Sequence, residues 1–163
     1  MRKITPFFGF LILLSFSCSK EPKEKHVDTN RIIHEVKSTF NDYVKHVNHK
    51  GINGVESFFS KDERFYWIED GIMQYPNRKA LLSAIESFYP TVKTISLHSS
   101  KVNVEVLEPK TAMVYVEYVQ DVLLISGYKL TLDGAMTILT VKDDDAWKFL
   151  IGHSSIKKPR GEN

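Results

Sequence analysis

Val102-Asn103-Val104-Glu105-Val106 alternates apolar and polar side chains, the period of a strand with one buried face. Working outward, the alternation predicts a long strand over 93–107, closed by a turn at Glu108-Pro109-Lys110. A second strand follows over Ala112–Leu124, a third over Tyr128–Val141 and a last one over Trp147–Ile156. The run Asp143-Asp144-Asp145 makes the final hairpin loop, its carboxylates in solvent. On the N-terminal side of Pro90 the period is different. Ile32, Ile33, Val36, Phe40, Tyr43, Val44 and Val47 recur every three or four residues, as on an amphipathic helix. Asp28, Thr29 or Asn30 caps its start, and Gly51 and Gly54 end it. Val55–Ser60 adds a turn of helix, and Arg64–Ile68 reads as a strand closed by Asp70-Gly71. Asn77 or Pro76 opens a third helix with Leu81, Leu82, Ile85 and Phe88 on its core face. Helices first and strands after predict an α+β domain, its helices packed on one face of a mostly antiparallel sheet.

The composition agrees with a globular chain: 42% of the 163 residues are hydrophobic and 26% charged, too apolar for disorder. One domain is expected, over residues 31–157, with a short tail over 158–163. A single cysteine excludes a disulfide framework and any multi-cysteine metal site.

That cysteine follows a targeting pattern. Arg2 and Lys3 precede an apolar run from Ile4 to Phe16, too short to span a bilayer and sized for a signal peptide. Leu13-Leu14-Ser15-Phe16-Ser17-Cys18 resembles a bacterial lipobox, with Phe16 where a small residue is commoner and no Leu three places before the cysteine. The resemblance implies cleavage after residue 17, lipidation of Cys18 and an exported, membrane-anchored cell-envelope protein. Ordinary secretory cleavage after Ser17 is the alternative. Residues 18–30 read as a polar tether. Without residues 1–17 the basic and acidic residues are equal in number, so the basic excess of a nucleic-acid binder is missing.

Arg64-Phe65-Tyr66-Trp67-Ile68-Glu69-Asp70-Gly71, followed by a turn into Arg78-Lys79-Ala80-Leu81-Leu82, resembles the nuclear transport factor 2-like superfamily, in particular its SnoaL-like and ketosteroid-isomerase-like members. Ala135–Val141, Trp147-Lys148-Phe149 and His153-Ser154-Ser155 are similar to the paired last strands of SnoaL-like domains. The resemblance implies a cone-shaped fold, a strongly curved sheet and helices enclosing a pocket, and a homodimer. It implies three functions: binding of a small apolar or aromatic ligand, isomerase- or cyclase-type proton transfer, or a homodimeric interaction domain with a filled pocket. No cofactor is implied.

In the isomerase-like members a helix-borne tyrosine stabilises an oxyanion and a strand-end carboxylate moves a proton. Tyr43 and Asp70, or its neighbour Glu69, fall at comparable places, with Phe65, Trp67 and Tyr75 near the carboxylate in sequence. An aromatic pocket raises a carboxyl pKa and makes a better base. The second acid of those members is replaced by Thr137, with Asp133 on the same strand face as a substitute. The alternative is a core tyrosine and an Asp-Gly turn pair. His153 follows Trp147, Phe149 and Ile151 at period two, either as a proton shuttle or as a satisfied core histidine. Glu117, near Tyr115, is a buried carboxylate partnered by His153 or His98 if inward, and a surface group if outward. The expected catalytic set is Tyr43, Asp70 and His153, with Trp67, Tyr115, Glu117 and Trp147 about the ligand.

No metal is expected. His26 lies in the tether, and His34, His46 and His49 are spread along one helix without a Glu-bearing zinc motif. A Gly-rich phosphate loop is missing, and Ser154 and Ser155 lack a nucleophile-elbow context.

Overall fold

The computed structural model describes residues 27–157. The expected signal peptide, Cys18, most of the tether and the 158–163 tail lie outside them. The order is α1 (Thr29–Lys50), a 3₁₀ turn (Val55–Phe58), β1 (Tyr66–Glu69), β2 (Ile72–Tyr75), α2 (Arg78–Phe88), a second 3₁₀ turn (Tyr89–Thr91), then β3 (Val92–Glu108), β4 (Thr111–Leu124), β5 (Lys129–Asp143) and β6 (Ala146–Ile156). Two helices pack on one six-stranded sheet of order β2-β1-β6-β5-β4-β3, curled but not closed. All neighbours are antiparallel except β1 and β6, which run parallel.

Local chemistry accounts for the helix ends. The Asp28 carboxylate accepts from the Arg31 amide at 3.0 Å, and Asn77 accepts from Ala80 at 2.9 Å, each satisfying an amide that the first turn leaves free. Gly51, at φ 71°, ends α1 in a conformation costly for other residues. Strand β2 is an addition to the sequence reading. Its Ile72 and Met73 are exposed at the sheet edge, so no burial pattern marks them.

The last strand corrects that reading further. Thr140 pairs with Phe149 while Leu139 pairs with Ile151, so Leu150 is an extra residue in a β-bulge. Trp147 and Phe149 face the helices before the bulge; Leu150, Gly152, Ser154 and Ile156 do so after it. One inserted residue inverts the alternation, and His153 is turned to the outer face.

Phe149 is the hub of the core. It is 1% exposed, with ring centroids 5.3 Å from Tyr43, 5.9 Å from Phe59 and 6.3 Å from Phe40. Two polar clamps fix α1 on the sheet. Asn48 donates to the Leu97 carbonyl (2.9 Å) and accepts from the Leu97 amide (2.6 Å) on β3. Glu35 accepts from Lys142 Nζ at 2.8 Å and from the Trp147 indole at 2.9 Å.

These two bonds, the lysine's foremost, hold the Glu35 carboxyl below its ordinary pKa. A carboxyl depressed by folding stabilises above its unfolded pKa, and the effect disappears as pH falls through the folded one. Glu35→Ala is expected to cost about 1–2 kcal/mol at pH 7, since the Trp147 donor loses its partner. In urea melts the deficit should shrink at pH values below the folded pKa of Glu35. A deficit independent of pH would assign the loss to packing.

Candidate functional site

Between the concave side of the sheet, α1 and α2 lies a cavity of about 370 Å³. Its walls are apolar: Phe59 and Trp67 beside β1, Leu81, Ile85 and Phe88 from α2, and Leu132 and Met136 from β5. Trp67 fits because Gly152 has no side chain; a Cβ there would fall on the indole ring atoms. The Trp67 indole nitrogen donates to Ser154 Oγ at 3.1 Å, which fixes the ring's orientation.

The polar groups converge from four strands and one helix. Tyr43 from α1, Glu69 from β1, Tyr75 from β2, Tyr118 and Gln120 from β4 and Ser154 from β6 all line the cavity. Burial, with repulsion from Tyr118, pushes the Tyr43 hydroxyl up to about 12. Tyr118 is only 6% exposed, and burial foremost, then the charges of Glu69 and Asp70, raises its pKa. Neither hydroxyl has a hydrogen-bond partner among the described residues, and both open to the cavity. They are therefore free to donate to a ligand.

Glu69 keeps contact with solvent at the cavity mouth, yet enough protein crowds it that desolvation, then Asp70, raises its carboxyl pKa. Burial, then the same carboxylate, raises the Tyr75 pKa. Asp70 has a different situation. It sits at φ 49° in the β1–β2 turn beside Gly71, its amide donates to the Ser154 carbonyl at 3.0 Å, and its carboxylate accepts from the Ile156 amide at 3.0 Å. It reaches the cavity rim while holding the turn against β6.

Of the sequence-predicted residues, Tyr43, Asp70 and Trp67 meet at this cavity. His153 does not; the bulge places it on the outer face, opposite Thr137. Thr137 and Asp133 share that outward parity, so neither stands in for a second acid inside; Asp133 pairs with Lys157 at 2.9 Å. Tyr115 and Glu117 also point outward. The Tyr115 hydroxyl donates to Glu117 at 3.2 Å, and Lys101 pairs with the same oxygen at 2.9 Å, so Glu117 takes neither His153 nor His98 as partner. Trp147 is buried under α1 against Glu35, away from the cavity. Tyr118, Gln120 and Ser154 were missed. Buried Val114, Val116 and Val122 mark the inward parity of β4, and Tyr118 shares it.

Among the described residues no three His, Cys, Asp or Glu side chains group closely enough to hold a metal ion. No helix among them is long and apolar enough to cross a membrane.

Comparison with known proteins bears on this geometry. The sequence model of the SnoaL-like domain matches residues 36–159. No curated protein matches the chain. A candidate scytalone dehydratase from Novosphingobium aromaticivorans DSM 12444 is similar at TM-score 0.69 and 17% identity, over 77% of this chain and 83% of that one. A nuclear transport factor 2-like superfamily protein from Salmonella enterica serovar Typhimurium LT2 gives 0.68 and 14%, over 83% and 97%. A hexachlorocyclohexane dehydrochlorinase from Novosphingobium barchaimii LL02 gives 0.62 and 13%, over 77% and 86%. At these identities the likeness is one of fold, the nuclear transport factor 2-like fold. With the family model matched from within α1 to beyond β6, this chain belongs to the SnoaL-like domain family.

Proposed function

We propose that this protein is an exported, lipid-anchored domain that binds a small apolar or aromatic molecule in the cavity between sheet and helices. The observation that carries the reading is the pair of unpartnered hydroxyls, of half-buried Tyr43 and buried Tyr118, opening into an aromatic cavity. Apolar walls with a few convergent polar groups are the usual make-up of a small-molecule site. Anchoring at Cys18 rests on the lipobox resemblance of residues 13–18.

Binding of a bicyclic aromatic alcohol should raise the melting temperature and perturb the fluorescence of Trp67. Trp67→Phe should abolish the optical change. An unchanged signal in Trp67→Phe would locate the ligand elsewhere. Cys18→Ser should release the protein from the membrane fraction, and continued retention would refute lipidation.

A second reading is proton transfer, favoured by the raised carboxyl of Glu69 beside two free phenols. Two of the similar structures bear the names of a dehydratase and a dehydrochlorinase, both elimination enzymes. In this reading Glu69 is the base, since the Asp70 carboxylate already accepts the Ile156 amide. Tyr43 and Tyr118 donate to the developing oxyanion. Glu69→Gln should then abolish turnover of a substrate that Asp70→Asn leaves largely intact; the reverse order would return the role to Asp70.

A further inference from the structure

We propose that the cavity selects a cation: an apolar, ring-sized body carrying one amine or ammonium group, held at the mouth by Glu69. The proposal rests on the cavity being a ligand site and adds the charge of what it takes.

The cavity walls contain two carboxylates, Glu69 and Asp70, and no lysine, arginine or histidine. An anionic ligand would meet two like charges and no basic side chain to offset them. Several acids of the described residues are paired, Glu35 with Lys142, Asp62 with Arg64, Glu117 with Lys101 and Asp133 with Lys157, while others such as Glu63 and Glu105 stand unpaired away from the cavity. Glu69 has neither an ion-pair nor a hydrogen-bond partner among the described residues, although its surroundings already disfavour its charge. Of the two acids at the cavity Asp70 is engaged by the Ile156 amide, so Glu69, exposed at the mouth, is the carboxylate left for a bound cation to pair with.

The walls near it suit a cation as well. Trp67 and Tyr75 pair across β1 and β2 and present their aromatic rings to the cavity beside Glu69, and ring faces attract ammonium groups. Tyr118, buried to 94% by its 6% exposure, brings an unpartnered hydroxyl to the same space from β4. That hydroxyl comes from a different strand than Glu69 and offers a donor or acceptor to a polar group on the ligand. Leu81, Ile85 and Met136 supply the apolar floor for the ring body.

The test uses three probes of one shape: 2-naphthylmethylammonium, 2-naphthylmethanol and 2-naphthoate. Calorimetric titration of the full chain at pH 7 should give the ammonium an affinity about tenfold above the alcohol, with no binding of the carboxylate. Glu69→Gln should bring the ammonium down to the level of the alcohol and leave the alcohol's affinity unchanged, which also reports an intact cavity. Equal affinities for ammonium and alcohol in the native chain would overturn the selection for charge while the ligand site stands. Tightest binding of the naphthoate would overturn it too. Binding of none of the three would remove the ligand site itself.

Discussion

Gly152→Ala is expected to destabilise the domain by about 3 kcal/mol, a fall in melting temperature of roughly 10 °C. The methyl group would fall on the six-membered ring of Trp67, far inside van der Waals contact. The indole has nowhere to retreat except into the ligand cavity. Its nitrogen is bonded to Ser154 and its ring stands edge-on to Phe59 at 6.1 Å. Either the ring swings into the cavity, or β1 and β6 part where Trp67 and Gly152 are register partners. Both outcomes also weaken ligand binding. The double variant Gly152→Ala with Trp67→Ala should be less destabilised than the sum of the two single ones, because removing the ring removes the clash. A single variant that melts within a degree of the native protein would show that the interface yields at little cost.

Phe149→Ala is expected to cost about 3–5 kcal/mol, the loss typical of a large buried aromatic. The ring touches α1 through Phe40 and Tyr43 and the first 3₁₀ turn through Phe58, so its removal loosens the hold of β6 on both elements. The backbone is held separately, since the Phe149 carbonyl accepts the Ser60 amide at 2.8 Å. Phe149→Leu should therefore lose far less than Phe149→Ala. Denaturant titration of both checks this. Equal losses would mean that ring geometry, and not the volume filled, is what the core requires. The cavity left by alanine adjoins Tyr43, so a shift of that hydroxyl should accompany the loss.

The helices and the four long strands were legible because each buries one face, and burial writes its period into the sequence. Phe40 and Val47, and likewise Val114 and Val116, are read this way. What was illegible depends on partners distant in the chain. Strand β2 buries almost nothing and exists by pairing with β1. The extra residue at Leu150 is set by registers with β5 on one side and β1 on the other, and no local pattern among Phe149, Leu150 and Ile151 announces it. That one residue decided the candidate site, for it exchanged His153 for Ser154. On β4 the information was present: valines of even number fixed the parity, and Tyr118 rather than Tyr115 followed from it. Between Glu69 and Asp70 the chain alone could not choose, because the Asp70 carboxylate is engaged by an amide at Ile156, 86 positions away.

The open sheet leaves β3 as a long free border, and a border of unpaired amides and carbonyls invites a strand from another molecule to add to it. Asn48 meets this hazard. Its side-chain amide occupies both the donor and the acceptor of Leu97, as a visiting strand would. A few residues on, between Ser100 and Asn103, the pairing with β4 is interrupted where Lys101 turns to φ 49°. The border is thus divided into short lengths, none offering the run of regular bonds that templated growth needs. A clamp that fastens α1 to the sheet also keeps one copy of the protein from zipping onto the next.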